Sequence, residues 1–302
     1  MTYFRLGMSE SSLVFVYFVE NNIILNDYEK ILLINFKKSI INWFYTTSGF
    51  FDISIKGSYF DFNEEYEKII NSETYNNYFN NLLKFIKDND FTNFYFRCHK
   101  IDNFTKFLPL FFKYINKENE LMNHMINNIT TQNFEKDEKT FYNINQIINN
   151  NLNNKKVLLI HNLSELMIEQ YNNGNINKIN EKFPKISLIV PLKIGYTFLN
   201  TSLDNANNII ERSKIINSYI EDIIDKYNID FVIISCGAYS SLISISLHNK
   251  VEYCMIGGEL EKEFGIITNR NKELIINKDH YINVPDKLKP LLHEIIENSC
   301  YW

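Results

Sequence analysis

Apolar and polar positions follow a clear rhythm in the second half of the chain. Short runs that are apolar at nearly every position alternate with stretches whose apolar residues recur every third or fourth place. KKVLLIHNL (Lys155 to Leu163) has the length and content of a buried parallel strand, and SELMIEQYNN (Ser164 to Asn173) behind it reads as a helix capped by Ser164. KISLIVPL (Lys185 to Leu192) predicts a further strand, and Asn208 to Asn228 carries apolar residues at helical spacing. FVIISCG (Phe231 to Gly237), SSLISISLHN (Ser240 to Asn249) and VEYCMIGG (Val251 to Gly258) then give strand, helix, strand. Strands apolar on both faces, alternating with helices, predict an α/β fold: a Rossmann-like, mostly parallel sheet with helices on both faces.

The first half is less regular. Phe4 to Leu6 is a short strand candidate, and Ser9 to Val19 predicts a helix that opens after Gly7 with Ser9 as its cap. Ile31 to Tyr45 has a mixed period, Glu64 to Asp88 reads as one or two amphipathic helices, and Phe91 to His99 as a strand. Periodicity fades over the Asn-rich residues 143–154. These are expected to link halves 1–142 and 155–302 of a single globular α/β unit spanning 1–302.

Composition sharpens this picture in a few places. A chain of 302 residues can bury one large core or two modest ones without disulfides or a stapling metal. Asn, Ile and Lys are used heavily, as in AT-rich coding, so an Asn carries little structural signal here. The net charge of -5, with no basic stripe, argues against nucleic acid as a partner. The apolar runs LVFVYFV (Leu13 to Val19), FLPLFF (Phe107 to Phe112) and ISLIVPL (Ile186 to Leu192) fall short of the ~20 residues of a spanning helix. The N-terminus lacks a secretory pattern. Cys98, Cys236, Cys254 and Cys300 are scattered without a C-x-x-C pair. The expectation is a soluble, cytoplasmic protein with no membrane span.

Candidate chemistry gathers at the strand ends. His161, the turn Ser235-Cys236-Gly237-Ala238-Tyr239 and the pair Gly257-Gly258 are expected on one sheet edge, where ligands of such folds bind. Gly237 permits a tight turn, after which helix N–H groups could face an anion such as a diphosphate; the same glycine would serve a plain strand-to-helix turn. Glu259, Glu261 and Glu263 read as acidic residues favoured by a helix dipole. Arg270 could close over a phosphate or carboxylate, or lie in solvent. His161 could act as acid, base or ligand, with Glu165 four residues on, or simply bond a backbone carbonyl. His99, His124, His248, His280 and His293 form no recognisable set. The familiar hydrolase, P-loop, zinc-protease and dinucleotide motifs are missing.

Near the N-terminus, YFRLGMSE (Tyr3 to Glu10) sets Arg5 and Glu10 around Gly7, either as the edge of a site or as a polar turn with a local ion pair. Taken in order with Lys155–Tyr171, Asp230–Leu247 and Met255–Arg270, this segment resembles a family found among bacterial surface-polysaccharide genes. Its members carry R-L/I-G-N/D-x-E, a strand ending in a His or other polar residue, G/C-G-A/C-Y-G, and G-G-x-x-Q-x-x-F-G-I-x-G-x-R. The first segment is also similar to the R-x-G-D-G-E segment of GT-D glycosyltransferases, whose Asp-x-Glu element is associated with a divalent metal and a nucleotide-sugar diphosphate. A further match is Ser48-Gly49-Phe50.

The chain departs from the pattern. Met8 stands where the GT-D element has its Asp, Ser240 where the family has its second Gly, and the Gln of the G-G-x-x-Q segment is replaced within Glu259–Glu263. The Gly before the final Arg is Thr268 or Asn269, depending on alignment.

The resemblance implies a glycosyltransferase-like enzyme that takes a nucleotide-sugar donor and a glycan or glycoconjugate acceptor. Glu10 and His161 would be catalytic. Arg5, Gly7, Ser9, Ser235, Cys236, Gly237, Tyr239, Gly257, Gly258 and Arg270 would bind substrate. A divalent cation, Mn or Mg, would rest on Glu10, although a thioether at position 8 is a poor ligand for a hard cation. The alternative is a non-catalytic nucleotide-sugar or glycan-binding protein of a polysaccharide-synthesis assembly.

Overall fold

The structure is a computed structural model and describes residues 2–48, 72–96, 104–118, 144–195 and 209–289. Its described residues fall into two compact units: 144–195 with 209–289, and 3–48 with 72–96 and 104–118. The fold is α/β and Rossmann-like, and each strand pair described below is parallel.

In the larger unit β3 (Lys156–His161) pairs with β4 (Leu188–Leu192) on one side and β5 (Phe231–Ser235) on the other, and β5 pairs with β6 (Glu252–Met255). The order is therefore β4-β3-β5-β6. The chain builds outward from β3 to β4, crosses back to β5 beside β3, and continues to β6. The strand order reverses between β3 and β5, which makes that gap the topological switch point of the sheet.

Val157, Leu158, Leu159 and Ile160 are fully buried, as are Phe231 to Ile234, so these strands are covered on both faces as their continuous apolar runs predict. The expectation fails for β4. Leu188 and Pro191 are exposed, and a proline without an N–H is at home on an edge strand.

Helices Ser164–Asn172, Ile209–Tyr227 and Tyr239–Leu247 connect the strands. Their placement follows the helical periodicity of the sequence. The Asn-rich stretch behaves otherwise than expected: Ile144–Asn151 is a helix, with Ile144, Ile147 and Ile148 buried at helical spacing between the asparagines. Three isoleucines on one face outweigh the poor helix propensity of Asn. Gly265 takes φ 72°, and the Gln170 amide donates to its carbonyl at 2.9 Å and to that of His280 at 2.8 Å. A short second sheet, β7 (Ile266–Ile267) with β8 (Ile282–Asn283), follows.

The smaller unit contains β1 (Thr2–Arg5), which pairs in parallel with β2 (Asn93–Tyr95). Its helices are Met8–Asn22, Asp27–Ser48, Glu73–Asp88 and Leu108–Tyr114. The mixed-period segment Ile31 to Tyr45 thus lies inside one helix. That helix opens on a reciprocal cap: Asn26 Oδ1 accepts from the Glu29 N–H, and the Glu29 carboxylate from the Asn26 N–H. Ser72 caps Glu73–Asp88 by accepting from the Tyr75 N–H at 3.1 Å. The core is aromatic, with Phe4 against Phe91 and Phe94, and Phe15, Phe18 and Phe96 around Phe111. Among the described residues no helix is long and apolar enough to cross a membrane.

Candidate functional site

Parallel strands align their carboxyl ends, and the register decides which residues meet there. His161 ends β3 directly opposite Ser235 at the end of β5. Ile234 pairs with Met255, so the chain leaves β6 through Ile256 and Gly257 beside Ser235. The Ser235 hydroxyl donates to the Gly257 carbonyl at 3.4 Å. His161, Ser235–Tyr239 and Gly257–Gly258 therefore occupy one edge of the larger unit, and His161 with Ser235 flanks the switch point.

The turn after β5 is fixed locally. Gly237 has φ 61°, a left-handed value that suits glycine. The Ser240 hydroxyl accepts from the Cys236 N–H at 3.1 Å and lies 3.4 Å from Cys236 Sγ. Ser240 thus ties the turn to the helix start. Tyr239 is buried, Cys236 half-buried and Gly237 exposed.

The partner of His161 is Glu261. Their side chains are 7% and 2% exposed, with His161 Nε2 at 3.2 Å from Glu261 Oε1. The other ring nitrogen, Nδ1, accepts from the Leu163 N–H at 2.9 Å, which assigns the ring proton to Nε2 and makes it the donor to the carboxylate. Both ring nitrogens are thus engaged within the protein. Glu165, four residues after His161, is exposed.

Ser164 is not the cap of its helix. Leu163 holds that position, and Ser164 Oγ is buried without a hydrogen-bond partner. Glu261 Oε2 is likewise buried and without a partner.

Sequence reasoning treated Glu261 as one of three dipole-favoured acids. Glu259 is exposed, Glu263 half-buried, and Glu261 is among the most buried polar residues. Burial pushes the Glu263 carboxyl above its ordinary value, against the pull of Lys262 and a hydrogen bond from Asn145. Local sequence carries no signal that sets Glu261 apart, because its partner His161 lies a hundred positions away.

Arg270 is exposed, on a loop held by buried Asn271, whose Oδ1 accepts from the Thr268 N–H and whose amide donates to the Ile266 carbonyl.

In the smaller unit Gly7 is the N-cap of Met8–Asn22, and Ser9 lies inside the first turn rather than capping it. Glu10, three residues beyond the cap, reaches back: its Oε2 accepts from the Gly7 N–H at 3.2 Å and its Oε1 from the Tyr78 hydroxyl at 2.8 Å. The Arg5 guanidinium lies 5.5 Å from the centre of the Tyr95 ring. Among the described residues no group of three or more His, Cys, Asp or Glu side chains is arranged to hold a metal ion. A thioether at position 8 and a Glu10 carboxylate engaged at both oxygens make a poor donor set for a hard cation. Gly49 and Phe50 of the Ser48-Gly49-Phe50 match lie outside the described residues.

Comparison with protein-family models, curated proteins and solved structures finds no match to this chain.

Proposed function

We propose that the chain binds a nucleotide-sugar at the carboxyl edge of the larger unit and acts as a glycosyltransferase-like enzyme, passing the sugar to a glycan or glycoconjugate acceptor. The observation that carries this reading is His161 facing Ser235 across the switch point, the position at which open parallel sheets bind ligands. The ligand class comes from the order of motifs in the sequence.

In this reading the helix start after Gly237 and the Arg270 guanidinium meet the diphosphate. Ser235, Cys236, Tyr239, Gly257 and Gly258 line the approach, and the buried His161–Glu261 pair lies at its base. Stabilising charge on the departing diphosphate is the main help such a site offers to transfer. Arg5, Gly7, Ser9 and Glu10 enter only through their likeness to the R-x-G-D-G-E motif, and no step is routed through Mn or Mg.

Met8 and the double engagement of Glu10 favour a second reading, a binding protein without turnover. Calorimetric titration with UDP- and dTDP-sugars, with and without manganese, tests the first element of both. Saturable binding of at least one donor is expected, and silence under every condition overturns both readings. Release of nucleoside diphosphate from a bound donor separates the enzyme from the binder.

A further inference from the structure

We propose that Glu261 is the residue that recognises the sugar, its Oε2 accepting a hydrogen bond from a ligand hydroxyl while His161 acts as a positioning residue on Oε1. This assignment rests on the nucleotide-sugar reading for its ligand class and on the geometry of the larger unit for its site.

A buried carboxylate oxygen without a donor is disfavoured, because it has lost its water and gained nothing in return. Native proteins leave few such atoms, and each that persists calls for an explanation such as a water, an ion or a functional role. Among the described residues Glu261 Oε2 is one of them, on a side chain three positions beyond Gly258 at the ligand edge.

Its other oxygen is held in a defined direction. Leu163 N–H fixes the His161 ring through Nδ1, and Nε2–H then fixes Glu261 through Oε1. Such a relay supports an orienting function, since each ring nitrogen has one partner and neither is left for the ligand. Oε2 is the atom of the pair with unused capacity, and as a carboxylate oxygen it accepts. Sugar hydroxyls can meet it and the oxygens of an ionised diphosphate cannot; ribose hydroxyls qualify too, and the nucleoside diphosphate arms of the test separate the two. A second orphan acceptor-donor, Ser164 Oγ, lies three residues beyond His161 in the chain.

The test uses the full chain labelled with ¹⁵N-histidine, titrated with UDP-glucose, UDP-galactose, dTDP-glucose, UDP, dTDP and free glucose and galactose. At least one sugar-bearing probe should shift the His161 Nε2–H resonance at saturation, and UDP or dTDP alone should not. Glu261→Gln keeps an acceptor for His161 and should weaken that probe tenfold or more, with affinity for the matching nucleoside diphosphate changed less than twofold. Equal affinity of wild type and Glu261→Gln overturns the assignment, as does a His161 signal that no hydroxyl-bearing probe moves. The latter result identifies the orphan oxygen as the seat of a structural water only. If no nucleotide-bearing probe binds and a free sugar still moves the His161 signal, the nucleotide-sugar reading falls and Glu261 keeps its role. The resonance readout needs no variant, so it holds even if Glu261→Gln folds poorly.

Discussion

Each unit of the molecule buries a glutamate beside a glycine-containing turn, and the two differ in how their oxygens are used. Glu10 spends one oxygen on the backbone N–H of Gly7 and the other on the hydroxyl of Tyr78. Glu261 has one oxygen held by His161 and the other without a donor. A carboxylate satisfied at both oxygens ends a helix neatly and ties it to a neighbour, which is a sufficient account of Glu10 as a structural residue. A carboxylate satisfied at one oxygen is incomplete as a structural element, and in the proposal above a ligand hydroxyl completes it. The comparison teaches that burial alone does not separate a structural glutamate from a functional one; the count of donors does.

The largest effect should come from removing one member of the buried pair. His161→Ala strips Glu261 of its only donor, and equilibrium denaturation should show a loss of about 3–5 kcal/mol. His161→Phe with Glu261→Leu removes the need for a donor, so the double variant should lie within about 1 kcal/mol of wild type. A double variant as unstable as the single one would break the comparison, because the pair would then be structural.

Glu10→Ala should cost about 2–3 kcal/mol, since it removes the acceptor of the Gly7 N–H and of the buried Tyr78 hydroxyl together. A double-mutant cycle with Tyr78→Phe should recover coupling of about 1 kcal/mol. An effect of only a few tenths would mean that Glu10 is not held as a cap and is available for other chemistry.

The smallest effect is one of pH. Burial raises the Glu263 carboxyl above its ordinary 4.5, with Glu259 adding to the rise and Lys262 opposing it; Tyr281 lies in its field. The folded chain therefore holds that proton more tightly than the unfolded one. The stabilising contribution is whole below about pH 4.5 and is lost as pH rises through the folded value. Glu263→Gln should flatten the stability profile in that window. An unchanged slope would show that Glu263 is solvated, and would weaken the contrast drawn for its neighbour Glu261.

The parts of this architecture that were legible in the sequence are those set by local periodicity. The runs at Val157–Ile160 and Phe231–Ile234 are buried on both faces, and an all-apolar strand has few other ways to satisfy itself. Helices such as Ile209–Tyr227 followed from apolar spacing. The Asn-rich helix Ile144–Asn151 was hidden because biased composition masked three well-placed isoleucines. Residue type points to Ser9 and Ser164 as caps, yet the caps lie at Gly7 and Leu163, where Glu10 accepts from the Gly7 N–H and the His161 ring accepts from the Leu163 N–H.

The candidate residues divide in the same way. That His161, Ser235 and Gly257 end neighbouring strands follows from the pattern of the chain, since strand ends are marked by the change from apolar to polar residues. That His161 turns to Glu261, a hundred positions away, is a property of the sheet order. The sequence by itself determined the strands at Lys156–His161, Leu188–Leu192, Phe231–Ser235 and Glu252–Met255, the helices that connect them and the polar edge, because these depend on neighbours within a few residues. Only the tertiary structure decided where the strand order reverses, which carboxylate meets the histidine and which oxygen is left without a donor, because hydrogen-bond satisfaction is settled between segments that the chain keeps far apart.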